Sequence, residues 1–198
     1  MSKPDVLALT GSDMTVPRHP GQPLRIVVMG VSGCGKSTLS RALADHLHLA
    51  SVDGDDLHLP ESIRKMSSGI ALEDADRWPW LDRIGGYLAA SDERDTRGRI
   101  VACSALKRVY RDRIRAHASG VQFVFLHGDA HTLGQRMAAR VGHYMQAGLL
   151  ESQLRTLEVP ADDETDVLHL GIEPPVGVLL ARTLQALALD APTSSSPA

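Results

Sequence analysis

Gly30-Val31-Ser32-Gly33-Cys34-Gly35-Lys36-Ser37 is the stretch that decides the fold of this chain. It fits G-x-x-x-x-G-K-[ST], the phosphate-binding loop, and each part has a physical task. Gly30, Gly33 and Gly35 permit positive φ and close backbone approach, so successive amide N–H groups can turn inward around phosphate oxygens. Lys36 supplies a mobile cation for the β- and γ-phosphates, and Ser37 a hydroxyl ligand for Mg²⁺. The helix expected next aims its positive N-terminal end at the same anion. On this reading Gly30, Val31, Ser32, Gly33, Cys34, Gly35, Lys36, Ser37 and Thr38 hold a nucleoside triphosphate, ATP.

The flanks agree with the loop. Leu24-Arg25-Ile26-Val27-Val28-Met29 is a short β-branched run of the buried-strand type, and Leu39, Ala42, Leu43 and Leu47 recur at helical spacing. Outward from there, 198 residues suit a single core. A net charge of −3 and a pI near 6.3 leave no electrostatic footprint for nucleic acid. No apolar run approaches the ~20 residues of a membrane span, and no segment resembles a secretory signal. Cys34 and Cys103 do not form a disulfide framework, and reduced thiols fit a cytoplasmic protein. Residues 1–23 and 191–198 mix Pro, Ser and polar residues without periodicity, so both are expected to be disordered tails around one domain, 24–190.

Inside that domain strand-like and helix-like segments alternate. Expected strands are Leu24–Met29, Ala50–Asp53, Arg99–Ser104, Val121–His127 and Val167–Ile172. Expected helices are Lys36–His48, Leu72–Ala90, Lys107–His117, Ala130–Arg140, a short one near Leu149–Thr156, and Val176–Leu189. Such alternation gives an α/β fold, a parallel sheet covered by helices on both faces, with ligands at the carboxyl ends of the strands. Asp53-Gly54-Asp55-Asp56 leaves the second of those ends, and alternation points Asp53 and Asp55 the same way if the strand continues that far. Two acids beside a Mg·ATP site suit two duties, holding metal-bound water and accepting a proton from an attacking hydroxyl. The third strand ends Ala102-Cys103-Ser104-Ala105 without an acid, which makes Asp53 the best-placed partner of the metal alongside Ser37.

Several blocks carry a resemblance. Asp53-Gly54-Asp55 with His58, Lys65-Met66-Ser67-Ser68-Gly69, Asp74-Ala75-Asp76-Arg77-Trp78-Pro79-Trp80-Leu81 and Cys103-Ser104-Ala105-Leu106-Lys107 resemble the bacterial gluconokinase family. Tyr110-Arg111-Asp112, Gly142-His143-Tyr144 and Glu164-Thr165-Asp166 extend the likeness over residues 24–189. The resemblance implies a shikimate-kinase-like P-loop kinase fold with a five-stranded parallel sheet and a lid at about 136–156. It implies ATP-dependent phosphorylation of D-gluconate at its 6-hydroxyl, a product used by the pentose phosphate or Entner–Doudoroff route, and a homodimer. Ser62, Ala71 and Val141 depart from the residues common in that family, and Ser62 could lose a contact to a sugar hydroxyl.

A polyhydroxy carboxylate needs a cationic clamp and fixed hydrogen-bonding groups. Lys65, Arg77, Lys107 and Arg111 are the candidate cations, with Asp55, His58, Asp76 and Ser104 for hydroxyls. Lys36, Asp55 and Arg140 are the expected catalytic residues, Asp55 as base and Arg140 as a lid cation that stabilises charge on the transferring phosphoryl. Trp78 and Trp80 read as packing beside the site. The nine histidines lack the acid or thiol companions of a zinc site. Two rival readings remain: the same fold acting on shikimate or another hydroxy acid, and a nucleotide-dependent switch, which would supply a water-positioning Gln rather than an acidic acceptor pocket.

Overall fold

The structure is a computed structural model, and it describes residues 22–90, 97–139 and 146–189. Its elements run β1 (Leu24–Met29), α1 (Lys36–Leu47), β2 (Ala50–Asp53), α2 (Pro60–Ser67), α3 (Asp74–Ala89) and β3 (Gly98–Cys103). They continue as α4 (Arg108–His117), β4 (Val121–His127), α5 (Ala130–Ala138), α6 (Gln146–Thr156), β5 (Val167–Gly171) and α7 (Val176–Ala186). Five strands form one sheet in the order β2-β3-β1-β4-β5, and every pairing is parallel.

The period-2 alternation of β1 explains the layers. Ile26 and Val28 face a core built with Leu39, Leu43, Leu133, Leu179 and Leu184, which brings α1, α5 and α7 to one face. Val27 and Met29 face the other core, where Trp80, Leu81, Ile84, Tyr110 and Ile114 of α3 and α4 pack on Phe123 and Phe125. A central strand buried on both faces must be apolar throughout, which is what the run Ile26-Val27-Val28-Met29 supplies.

Two elements differ from the sequence reading. The chain after β2 does not extend as a strand. Gly54–Leu57 coils into a 3₁₀ turn capped by the Asp53 carboxylate, so Asp55 owes its position to a turn and not to strand alternation. α2 was not expected as a helix. It carries clear end signals, Pro60 at its first turn and Arg64 and Lys65 in its last. Its apolar residues Ile63 and Met66 stay exposed, however, so no core-facing stripe marks it. α3 begins at Asp74 behind a capping box between Glu73 and Asp76, two residues later than the spacing of apolar residues suggests. The expected tails lie outside the described residues, apart from Gln22 and Pro23. Of the expected lid, the end of α5 and all of α6 are described, while Arg140, Val141 and His143 lie outside the described residues.

Candidate active site

The phosphate loop leaves β1 and enters α1, and its shape is fixed by contacts that admit no side chain at its start. A Cβ on Gly30, whose φ is +136°, would sit 2.4 Å from the Leu126 carbonyl oxygen. Gly30 N–H donates to the Ser104 carbonyl at 3.3 Å, so the end of β3 braces the loop entrance. Val31 and Cys34 turn their side chains into the core, leaving only their backbone for a ligand, and burial pushes the Cys34 thiol up. Gly35 caps α1 in the left-handed region, and Ser37 and Thr38 stand exposed in the first helical turn. Lys36 Nζ donates to the Val31 carbonyl at 3.0 Å, which curls the ammonium back over the loop. This is a cradle of free helix-end amides, one ammonium and one hydroxyl, and its donors fit a polyphosphate.

Across from Ser37 the carboxylate of Asp53 does two things at once. Its Oδ2 accepts from Ser37 Oγ at 2.9 Å, and its Oδ1 accepts from the Asp55 N–H at 3.2 Å. A hydroxyl and a carboxylate already in contact beside a phosphate cradle fit a magnesium shell, because both are hard oxygen donors. Asp55 follows on the turn, and burial followed by the Asp53 charge pushes its carboxyl above the usual aspartate range.

Trp80 of α3 supports this turn. Its Nε1 donates to the Gly54 carbonyl at 2.6 Å, and its indole stacks on the His58 imidazole, with centroids 4.3 Å apart and planes 11° from parallel. Gly54 is pressed against β3, where a Cβ would lie 2.8 Å from the Ala102 carbonyl oxygen. His58 is 7% exposed, and its Nδ1 has no protein partner. Burial pulls its pKa below the ordinary histidine value, so the ring is neutral and can serve a hydroxyl as donor or acceptor.

The expected cations gather at the start of α3. Lys107 Nζ reaches both Asp74 oxygens at 2.8 Å, and Lys65 Nζ donates to Asp76 Oδ1 at 2.6 Å. Arg77 Nη1 lies 3.6 Å from Asp74 Oδ1, and the Tyr110 hydroxyl donates to the same oxygen at 2.5 Å. Hydrogen bonds from Lys107 and Tyr110 hold Asp74 below the usual carboxylate range, and that from Lys65 does the same for Asp76. Each of the three cations is paired with Asp74 or Asp76, and the capping-box residue Glu73 stands at the same helix start. Arg77 is also close enough to His58 to act on its charge, so this cluster adjoins the Asp55 turn.

Arg111 does not join them. Its side chain is fully buried, with Nε and Nη2 gripping Glu164 at 2.7 and 2.6 Å and Nη1 donating to the carbonyls of Ala105, Leu106 and Glu158. An arginine with every nitrogen engaged inside the protein has none left for a substrate carboxylate. Arg111 instead shapes the 105–106 corner, where Ala105 holds a φ of +42° beside Ser104. Ser62, too, faces the interior. Arg136 spends a guanidinium nitrogen on the Ile172 carbonyl at 2.7 Å. Asp74, Tyr110, the Trp80 hydrogen bond and Gln153, which meets Ser32 N–H, were not legible as parts of the site. Asp74, Trp80 and Tyr110 lie in the blocks that carry the family resemblance, but Gln153 lies in none.

Known proteins sharpen this geometry. Residues 22–149 match the family profile described as adenylylsulphate kinase. The thermoresistant gluconokinase of Escherichia coli K12 is 40% identical over 161 residues, which cover 81% of this chain and 91% of that enzyme. The gluconokinase of Gluconobacter oxydans is 43% identical over 167 residues, covering 83% and 93% of the two chains. The crystal structure of a gluconokinase from Sinorhizobium meliloti superposes with a TM-score of 0.75 at 47% identity, covering 84% of this chain and 92% of that one. The likeness to these gluconokinases runs over most of this chain and over more than nine-tenths of each of theirs, and the chain belongs to the gluconokinase family of P-loop kinases.

Proposed function

We propose that this protein transfers the γ-phosphoryl group of ATP to the 6-hydroxyl of D-gluconate, giving 6-phospho-D-gluconate and ADP. The observation that carries the reading is the placement of Asp55. Its turn hangs from Asp53, which contacts Ser37 of the phosphate loop, and its neighbour His58 lies within reach of the Arg77 charge. On this reading the nucleotide and acceptor sites meet at one short turn.

In the mechanism that follows, the loop from Gly30 to Thr38 wraps the triphosphate, with the amides at the start of α1 turned to its oxygens and Lys36 neutralising charge on its outer phosphates. Ser37 directly and Asp53 through water would hold Mg²⁺, which supplies further charge neutralisation on the phosphate oxygens. Lys65, Arg77 and Lys107 are the cations that would meet the gluconate carboxylate. His58, Asp76 and Ser104 fix its hydroxyls. Asp55 orients the 6-hydroxyl and takes its proton as the oxygen bonds to the γ-phosphorus and the bond to ADP breaks. The carboxyl's raised pKa makes it a better acceptor of that proton. Arg140 is assigned to the developing phosphoryl charge on closure of the lid, residues 136–156.

No helix among the described residues is long and apolar enough to cross a membrane. Cys34 and Cys103 are both free thiols buried in the core, which suits a reducing cytoplasm. A homodimer is inferred from the family, and sedimentation velocity tests it. ADP release measured with gluconate, with shikimate and with no acceptor tests the activity. Gluconate-dependent release supports it, and equal release in all three arms would identify a hydrolytic switch.

A further inference from the structure

One peptide unit of the phosphate loop is gripped from both edges. The Val31 carbonyl accepts from Lys36 Nζ at 3.0 Å, and the N–H of the same unit, on Ser32, donates to Gln153 Oε1 at 2.6 Å. No peptide bond among the described residues is cis. In a planar trans unit the C=O and N–H point in opposite directions, so Gln153 pulls from the edge that faces away from the ammonium. The two hydrogen bonds together fix the rotation of one plane.

On the carbonyl edge the Cys34 N–H adds a long bond to Val31 O at 3.4 Å, and on the N–H edge Gln153 is the partner. Val31 is anchored by its buried side chain, but Ser32 is half-buried and Gly33 follows with φ +84°. The torsions that turn this unit are those of Val31 and Ser32, and of these only Ser32 lacks a side chain anchored in the core. Rotation would withdraw the carbonyl from Lys36 and leave a cation without its local partner. Gln153 opposes that with a neutral acceptor, which satisfies the amide without adding negative charge beside a phosphate site. It lies on α6, 121 residues away along the chain, and half-buried between helix and loop.

We propose that Gln153 is a positioning residue for Lys36, acting through the Val31–Ser32 peptide. Through this contact α6 sets whether the phosphate loop is competent. The inference rests on the reading of the loop as an ATP site, and it extends that site to a residue from outside the loop.

The test is a double-mutant cycle on binding of a fluorescent ATP analogue, with Gln153→Met, Lys36→Met and the pair. Methionine keeps the length of the side chain and removes the acceptor. Gln153→Met alone is expected to weaken binding about tenfold and to lower kcat by a similar factor, the usual consequence of losing one well-formed hydrogen bond in a preorganised site. Its KM for gluconate should stay within about twofold of wild type, because the acceptor site is untouched. In the Lys36→Met background, titrated to millimolar analogue, Gln153→Met should change binding by less than about twofold. Equal weakening in both backgrounds, or no weakening in the first, overturns the proposal. Failure of the wild-type protein to bind the analogue would instead sink the ATP reading itself.

Discussion

Ser37 Oγ donates to Asp53 Oδ2 at 2.9 Å, joining the first turn of α1 to the end of β2. The other oxygen of Asp53 takes the Asp55 N–H at 3.2 Å, so one carboxylate links the phosphate loop, the hydroxyl proposed to hold Mg²⁺ and the turn that carries the proposed base. Asp53→Asn keeps one acceptor oxygen for the Asp55 N–H, places an amide donor where the Ser37 hydroxyl can accept, and removes the charge. The variant should therefore fold normally but need more Mg²⁺ for half-maximal activity. Its kcat should fall by about 10²-fold or more, since a charge that helps order the metal shell is lost. A Mg²⁺ titration identical to wild type would remove Asp53 from the metal's environment.

Lys36→Ala should abolish measurable turnover and leave circular dichroism unchanged. The Lys36 side chain makes a hydrogen bond to a loop carbonyl and belongs to neither hydrophobic core. Its loss removes charge neutralisation worth several kcal/mol, about 10³-fold or more, in a preorganised phosphoryl-transfer site. Near-native kcat in a folded variant would refute the role given to Lys36.

Arg111 is expected to matter for stability and not for gluconate affinity. Removing one partner from a buried ion pair costs about 3–5 kcal/mol when the other charge is left uncompensated, and Arg115, which still donates to Glu164 at 2.9 Å, puts the loss here at the lower end. Arg111→Ala should lower the urea midpoint and Tm strongly, while any folded fraction keeps its KM for gluconate. Burial alone would raise the Glu164 carboxyl, but hydrogen bonds from Arg111 and Arg115 outweigh it and hold it at about 2. A carboxyl depressed from its ordinary value near 4.5 adds stability that is complete above about pH 4.5 and fades as pH falls towards about 2. Urea unfolding from pH 6 to 2.5 should show this loss in the wild type, and Glu164→Gln should flatten it.

The legible parts of the molecule were those where one local rule governs. β1 had to be apolar on both faces, and the glycine spacing of the loop has few other uses, so the sheet and the phosphate site could be read directly. α2 escaped notice because its apolar residues face outward, and periodicity reports only faces that are buried. The role of Arg111 was misread for a related reason. Sequence shows a cation near other cations, whereas its pairing depends on Glu164, 53 residues later. Asp74 and Gln153 act through contacts across 33 and 121 residues, and neither spacing leaves a trace in local composition.

Asp55 is the strictest test of the mechanism. In a loose phosphoryl-transfer transition state the nucleophile needs placement more than activation, so the loss on Asp55→Asn should be large without being total. Orientation and general-base effects together suggest a fall of roughly 10²–10⁴ in kcat. Affinity for an ATP analogue should persist, because Asp53 and the loop are unaltered. The pH profile adds a second reading. Burial and the Asp53 charge raise the Asp55 pKa, so the acidic limb of kcat/KM should lie above the 3.8 of an ordinary aspartate, with activity lost as the carboxylate takes up its proton. Residual activity of Asp55→Asn should lack that limb. A variant that loses ATP affinity but keeps kcat at saturation would move Asp55 to the metal and give the base role to another group, with Asp53 the nearest carboxylate in line.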